Sequence, residues 1–149
     1  CEMVAGLRSA DLLLADLTLV AEGGEEVVGY VSVSTMIVEP ERGDPFDVLN
    51  LTPLAVRPDR QGRGIGGALV EAVIEKARKR TEPLLFVEGW AEPESLYPRY
   101  FDPRTPNIKV PPEAFEDEAF QMLRLPTYDE TKHFGQAIYP DPIRALSHE

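Results

Sequence analysis

The chain has 149 residues, of which 43% are hydrophobic and 28% are charged, so a disordered chain is excluded and one globular domain is expected. Its formal net charge is −11 and no run of 18 apolar residues occurs, so we expect neither a nucleic acid nor a membrane as partner. The single cysteine, Cys1, cannot form an internal disulfide, which favours the cytoplasm.

The first half of the chain predicts a β-hairpin and a third strand. Residues 16–22 and 27–38 have the alternating or β-branched pattern of strands, and a Gly-rich turn at 23–26 joins them. Residues 49–56 predict the third strand. Pro53 within it has no N–H and cannot donate a hydrogen bond to a neighbouring strand. We therefore expect a bulge or a sheet edge at Pro53.

The most regular pattern in the chain predicts a helix over residues 64–80. Apolar residues recur on one of its faces every three or four positions. They are Ile65, Leu69, Val70, Val73, Ile74 and Ala77. Residues 84–88 predict a buried strand, so the helix is expected to join two parallel strands by a right-handed crossover. Further on, residues 102–118 predict mostly loop, and residues 119–125 and 135–139 predict two late strands.

The loop before the helix has the composition of an anion site. Four glycines open the helix at positions where Ser, Thr or Asp normally provides a cap. They are Gly62, Gly64, Gly66 and Gly67. Without side chains there, the first backbone N–H groups are bare, and the helix dipole favours phosphate. Arg57, Arg60 and Arg63 precede or open the helix, where cations are disfavoured, so an anionic ligand would explain them.

Two general phosphate-binding motifs match this loop only in part. Gly62 and Gly67 have the Walker spacing, but Ala68 and Leu69 stand where that motif requires Lys and Ser or Thr. Gly62, Gly64 and Gly67 match the dinucleotide fingerprint, and an acidic residue ends the next strand about 20 residues on. That motif follows its strand directly, whereas five mostly charged residues intervene here. An NAD-dependent oxidoreductase stays open as the less favoured alternative.

A longer run resembles the pyrophosphate-binding motif of the GNAT superfamily of acyl-CoA N-acyltransferases. The run is Leu54-Ala55-Val56-x-Pro58-x-x-Gln61-Gly62-x-Gly64-Ile65-Gly66. The core of the family motif, Gln/Arg-x-x-Gly-x-Gly/Ala, is met by Gln61, Gly64 and Gly66. The order of hairpin, bulged strand, loop, helix and strand is also similar to that family, and residues 16–100 match it best.

The resemblance implies an α/β (α+β) fold and a single domain over residues 1–149, with a loop-rich C-terminal part at 101–149. The sheet would be mixed and mostly antiparallel, with one splayed strand pair and a pyrophosphate-binding helix. The family has a strand and two helices before its hairpin, and only about fifteen residues precede it here. A truncated or reduced N-terminus is therefore expected.

The same resemblance implies how acetyl-CoA would be bound as cosubstrate. The strand backbone would hydrogen-bond the pantetheine arm, and the loop amides would hold the pyrophosphate beside two arginines. The residues concerned are Leu54, Ala55, Val56, Arg60, Gln61, Gly62, Arg63, Gly64, Ile65 and Gly66. No metal is expected, because His133 and His148 have no further ligands at suitable spacing.

Acyl transfer by direct attack of an amine on a thioester needs a deprotonated amine and a proton for the departing thiolate. The run Tyr97-Pro98-Arg99-Tyr100 resembles a Tyr-Pro-Arg-Phe segment of one GNAT subgroup. Tyr97 is therefore the expected acid, with Tyr100 second. Glu88 ends the strand that follows the helix, beside the gap expected between the two splayed strands. It is the expected base, with water as the alternative.

The family also implies the partners. The acceptor would be a small-molecule or protein amine, and late strands of the family often pair between subunits, so a homodimer is an expectation. A catalytically silent acyl-CoA-binding domain of the same fold is the main alternative to an enzyme.

Overall fold

The computed structural model describes residues 14–88, 101–103, 108–109 and 120–139. Eight strands and one α-helix lie in these ranges. The elements are β1 (Leu19–Gly23), β2 (Glu26–Glu39), β3 (Phe46–Val56), α1 (Ile65–Ala77), β4 (Leu84–Glu88), β5 (Asp102–Pro103), β6 (Ile108–Lys109), β7 (Phe120–Arg124) and β8 (Gly135–Ile138). Two 3-10 turns, Ala15–Leu17 and Pro58–Arg60, complete the described secondary structure.

The strands form one mixed sheet in the order β5-β7-β4-β3-β2-β8-β6, with β1 paired to the first half of β2. Five of its pairings are antiparallel, and β3–β4 and β6–β8 are parallel. Because α1 connects β3 to β4, the predicted parallel crossover is confirmed. The predicted mixed, mostly antiparallel sheet is confirmed as well.

Two irregularities at β3 open the sheet. In the pairing of β2 with β3, Val31 is opposite Leu54 but Val33 is opposite Leu51. The single residue of β2 between them therefore faces two residues of β3, Thr52 and Pro53. This confirms the bulge expected at Pro53. On its other side, β3 pairs with β4 only at Leu49–Leu85 and Asn50–Phe86. Both strands continue beyond those pairs without further pairing to each other in the described residues, so they diverge there.

The apolar stripe of α1 packs on one face of the sheet, as its periodicity predicts. Leu69, Val70, Val73 and Ala77 are buried against strand residues of that face. The strand residues include Val31, Val33, Leu49, Leu51, Leu85 and Val87. A second cluster, which includes Met36, Val48, Leu84, Phe86 and Met122, covers the opposite face. The sheet is therefore buried on both sides around β3 and β4.

Several boundaries differ from the predicted ones for local reasons. The first strand begins at Leu19 rather than at residue 16, because Ala15–Leu17 form a 3-10 turn whose Asp16 carboxylate accepts a hydrogen bond from Arg80 at 2.8 Å. The helix ends at Ala77, and residues 78–80 continue only as turns. The stretch at 102–118, predicted as mostly loop, contributes β5 and β6, each too short for any alternation to be visible.

Leu69→Ala tests the packing of α1 on the sheet. Leu69 is 5% exposed, and removing its buried methyl groups leaves a cavity beneath the helix. We expect a loss of about 2–5 kcal/mol in the free energy of unfolding, measured by urea denaturation. Glu75→Ala, on the exposed face of the same helix, is the matched control and should change stability by less than about 0.5 kcal/mol. Equal effects of the two variants would contradict the packing.

Among the residues that the structure describes, no helix has the length and apolar character needed to cross a bilayer.

Candidate active site

The loop between β3 and α1 turns through two glycines whose backbone conformation only glycine adopts easily. Gly62 has φ 78° and Gly64 has φ 80°, both in the left-handed region. Apart from the glycine itself and its two chain neighbours, no atom of the described residues would lie within 4 Å of a Cβ built on either residue. Packing therefore does not exclude a side chain at these positions, and the space beside both glycines is open to a ligand.

The helix begins without a side-chain cap. Gly64 is its N-cap and makes no capping side-chain bond, and the N–H of Ala68 donates to the Gly64 carbonyl at 3.0 Å. The N–H groups of residues 65–67 precede this first helical bond, so they have no acceptor within the helix. Within the described residues, three bare amides and the positive end of the helix dipole thus meet beside the open space at Gly64. This arrangement favours a phosphate or another anion.

The end of β3 presents backbone groups to the gap beside it. The N–H of Arg57 donates to the carbonyl of Val28 at 2.8 Å, which makes Val56 and Gly29 a non-hydrogen-bonded pair of the antiparallel ladder. The N–H and C=O of Val56 therefore point away from β2. Leu54, two residues earlier on the same strand, has the same orientation. Both residues face the side on which β4 has diverged.

Ala55 and Gln61 have different roles from these two residues. Ala55 is opposite Tyr30 at a hydrogen-bonded position of the β2–β3 ladder, so its backbone is engaged within the sheet. The side-chain Nε2 of Gln61 donates to the carbonyl of Val56 at 3.1 Å and holds the loop against the strand end. Within the described part of the chain, the N–H groups of Leu54 and Val56 and the Leu54 carbonyl are left for a ligand lying along β3.

The three arginines of the loop are not equivalent. Arg57 donates from Nη1 to Glu26 at 2.6 Å, and from Nε and Nη2 to the two Asp59 oxygens at 3.1 and 2.9 Å. The bond to Glu26, followed by the charge of Asp59, raises the pKa of Arg57. The chain thus supplies its own anions to the Arg57 side chain, so an anionic ligand is not needed to explain this residue.

Arg60 and Arg63 are the other two cations of the loop. Arg60 is partly buried, with its Nε 3.9 Å from Asp59 and its Nη1 3.2 Å from the position that a Cβ of Gly23 would occupy. Arg63 is exposed between the two left-handed glycines. The structure thus brings together the loop residues predicted from the sequence, with Arg60 directed towards the β1–β2 turn.

The predicted catalytic residues are less completely described. Glu88 is the last residue of β4, two positions beyond the last residue paired with β3, and its Cα pairs with Phe120 of β7. Tyr97 and Tyr100 lie outside the described residues. No group of three or more His, Cys, Asp or Glu side chains suited to a metal ion occurs in the described ranges.

The strand order bears on the dinucleotide alternative. A dinucleotide fold places its Gly-rich turn after a strand within a parallel sheet. Here β3 is antiparallel to β2 over most of its length and parallel to β4 at two pairs only. The glycines of the loop therefore match that fingerprint in spacing alone.

The sequence analysis did not identify the residues of β2 that contact the loop and the start of α1. Glu26, Val28 and Gly29 of β2 all contact the loop or the first turn of α1. The only signal in the sequence was a glycine interrupting a β-branched run at position 29. Neither the ion pair of Glu26 nor the bond of Val28 has a local sequence signature, since each joins residues about 30 positions apart.

Comparisons with known proteins agree with this geometry. Residues 6–95 match the model of the acetyltransferase (GNAT) family. The chain is 33% identical over 145 residues to the uncharacterized N-acetyltransferase YjhQ of Escherichia coli K12, covering 95% of this chain and 78% of that protein.

Two solved structures have a similar fold. The GNAT family N-acetyltransferase YhbS of Escherichia coli, crystallised with CoA, aligns with a TM-score of 0.77 at 23% identity, over 95% of this chain and 75% of that one. A GNAT family acetyltransferase of Brucella melitensis, in complex with acetyl-CoA, aligns with a TM-score of 0.69 at 26% identity, over 95% and 76% of the two chains.

Proposed function

The chain belongs to the GNAT acetyltransferase family, and on that premise we propose that it transfers an acetyl group from acetyl-CoA to an amine. The observation that carries this proposal is the pairing of bare helix-start amides with an open strand edge. The amides follow Gly64, and the edge is formed by Leu54 and Val56. A pyrophosphate and a peptide-like pantetheine arm, joined in one molecule, match both features.

In this proposal, different residues bind the pyrophosphate and the pantetheine arm of acetyl-CoA. The N–H groups of residues 65–67 hold the pyrophosphate, and Arg60 and Arg63 add positive charge nearby. Leu54 and Val56 hydrogen-bond the pantetheine amides as an added strand would. The thioester then lies in the gap where β3 and β4 diverge, close to the bulge. The space at Gly62 and Gly64 supports this fit.

The reaction is a direct transfer in this proposal. The amine nitrogen forms a bond to the thioester carbonyl carbon, the carbon–sulfur bond breaks, and the sulfur leaves as a thiolate. Glu88 or a water molecule takes the proton from the amine, and Tyr97 supplies one to the sulfur. The assignments of Glu88 and Tyr97 rest on the sequence. The acceptor is a small-molecule or protein amine, and the cytoplasm and a homodimer remain part of the proposal.

Calorimetry and a thiol-release assay test this function. We expect the chain to bind acetyl-CoA but not NAD⁺ or NADH, and to release free CoA thiol when one member of a broad panel of primary amines is added. Binding of NAD(H) without acetyl-CoA would contradict the proposal in favour of an oxidoreductase. Tight binding of acetyl-CoA with no thiol release across the panel would favour a silent binding domain.

A further inference from the structure

The first turn of α1 lies unusually close to β2 at Gly29. A Cβ atom at this position would be 2.9 Å from Cγ2 of Ile65 and 3.1 Å from Cδ1 of Leu69. Real Cβ atoms essentially never show contacts below 3.0 Å, so a side chain at Gly29 would force Ile65, the first residue of α1, to shift from its place against β2. Gly29 is absent from the positive-φ glycines, so the close approach and not the backbone conformation calls for glycine.

This contact bears on the bare amides directly. Ile65 is the first residue of α1, and its N–H is one of the three groups without a helical acceptor. A shift of Ile65 away from β2 would therefore carry the first of these amides with it. Leu54 and Val56, which face the gap, belong to the adjacent strand β3 and have fixed positions in the same ladder.

A second set of contacts joins β2 to the start of the loop, before the turn at Gly62–Gly64. Arg57 bonds to Glu26 at 2.6 Å through its side chain and to the Val28 carbonyl at 2.8 Å through its N–H. The two side chains of the ion pair are 41% and 65% exposed. Such an exposed pair contributes little to global stability. Its geometric effect is to fix the start of the loop on β2.

We propose that the β1–β2 hairpin sets the position of the diphosphate-binding loop, with Gly29 and Glu26 as positioning residues that never touch the ligand. Gly29 fixes the helix side of the loop and Glu26, through Arg57, fixes the strand side. This inference rests on the proposed function, because it concerns how acetyl-CoA is held.

Gly29→Ala tests the helix side. Ala fits the strand backbone, so the added methyl group acts by displacing Ile65 by a few tenths of an ångström. Because the displaced amides would no longer meet the diphosphate at the best distance, we expect acetyl-CoA to bind about 3- to 10-fold more weakly by calorimetry, which is about 0.7–1.4 kcal/mol. Ala77→Val is the matched control, because it overpacks the buried last turn of the same helix, away from the loop. It should lower the melting temperature but change acetyl-CoA affinity by less than about 2-fold.

Glu26→Gln tests the contact between β2 and the start of the loop, because the two explanations predict opposite changes in acetyl-CoA affinity. Removing a negative charge near an anionic ligand should, by electrostatics alone, strengthen binding. The positioning role predicts the opposite, a weakening of about 2- to 5-fold, because the Arg57 side chain loses its ion pair with β2 and keeps only its bonds to Asp59. Arg57→Gln should weaken binding to a similar extent, and the double variant should be no weaker than either single one.

Two results would overturn the inference while leaving the proposed function in place. One is tighter binding of acetyl-CoA by Glu26→Gln, and the other is a loss of affinity in Gly29→Ala no greater than in Ala77→Val. Failure of the unaltered chain to bind acetyl-CoA would instead remove the proposed function, and this inference with it.

Discussion

We expect the replacement of Gly64 by glutamate to abolish acetyl-CoA binding while the chain remains folded. The new carboxylate stands in the open space beside the amides of residues 65–67, where the proposal places the diphosphate. Like charges about 4 Å apart at an effective dielectric constant of about 20 repel by about 4 kcal/mol, which corresponds to about a thousandfold in affinity. Calorimetry with acetyl-CoA measures this loss.

The matched controls separate this effect from backbone strain. Any non-glycine residue at φ 80° carries a conformational cost of about 1–2 kcal/mol. Gly24, in the β1–β2 turn, has φ 69° and an equally open Cβ position. Gly64→Ala and Gly24→Ala should therefore lose similar stability, whereas only changes at Gly64 should weaken binding. Unchanged acetyl-CoA affinity in Gly64→Glu would count heavily against the loop assignment.

The second large effect concerns turnover. Tyr97→Phe removes the hydroxyl proposed to protonate the leaving thiolate, and general acid catalysis contributes about 10²- to 10⁴-fold. We expect kcat to fall at least about 100-fold, while the Kd for acetyl-CoA changes less than about 3-fold, because the ring is kept. Steady-state kinetics with the amine found in the thiol-release assay, together with calorimetry, give the two values.

Tyr100→Phe is the control for this variant, since the two tyrosines are separated by only two residues. If Tyr97 is the acid, Tyr100→Phe keeps most of the turnover. A full loss in Tyr100→Phe with normal turnover in Tyr97→Phe would transfer the role to Tyr100. Normal turnover in both variants would remove the pair from the mechanism.

The site was predictable where its features are local in sequence. The glycine spacing of residues 62–67 is a property of one turn, and the helix periodicity from Ile65 to Ala77 needs no partner to be recognised. The bulge at Pro53 was predictable too, because proline has no N–H to give to a ladder. These three features are enough to predict an anion site at the end of a strand.

What could not be predicted depends on pairs that are distant in the chain. The role of Arg57 depends on Glu26, which lies 31 positions away, and cannot be distinguished by sequence from a ligand contact. The close approach at Gly29 depends on how α1 packs over β2. The family resemblance implied the splayed strand pair that β3 and β4 form, but nothing in residues 84–88 marks the residue at which their pairing ends. The short strands β5 and β6 have too few residues for any periodicity.

A crystal structure of the chain with bound acetyl-CoA would show directly whether the loop holds the diphosphate. We expect the diphosphate on the N–H groups of residues 65–67, with the pantetheine arm hydrogen-bonded to Leu54 and Val56 in the gap beside β4. Acetyl-CoA bound elsewhere, with the turn at Gly62–Gly64 empty or filled by the chain's own side chains, would contradict it.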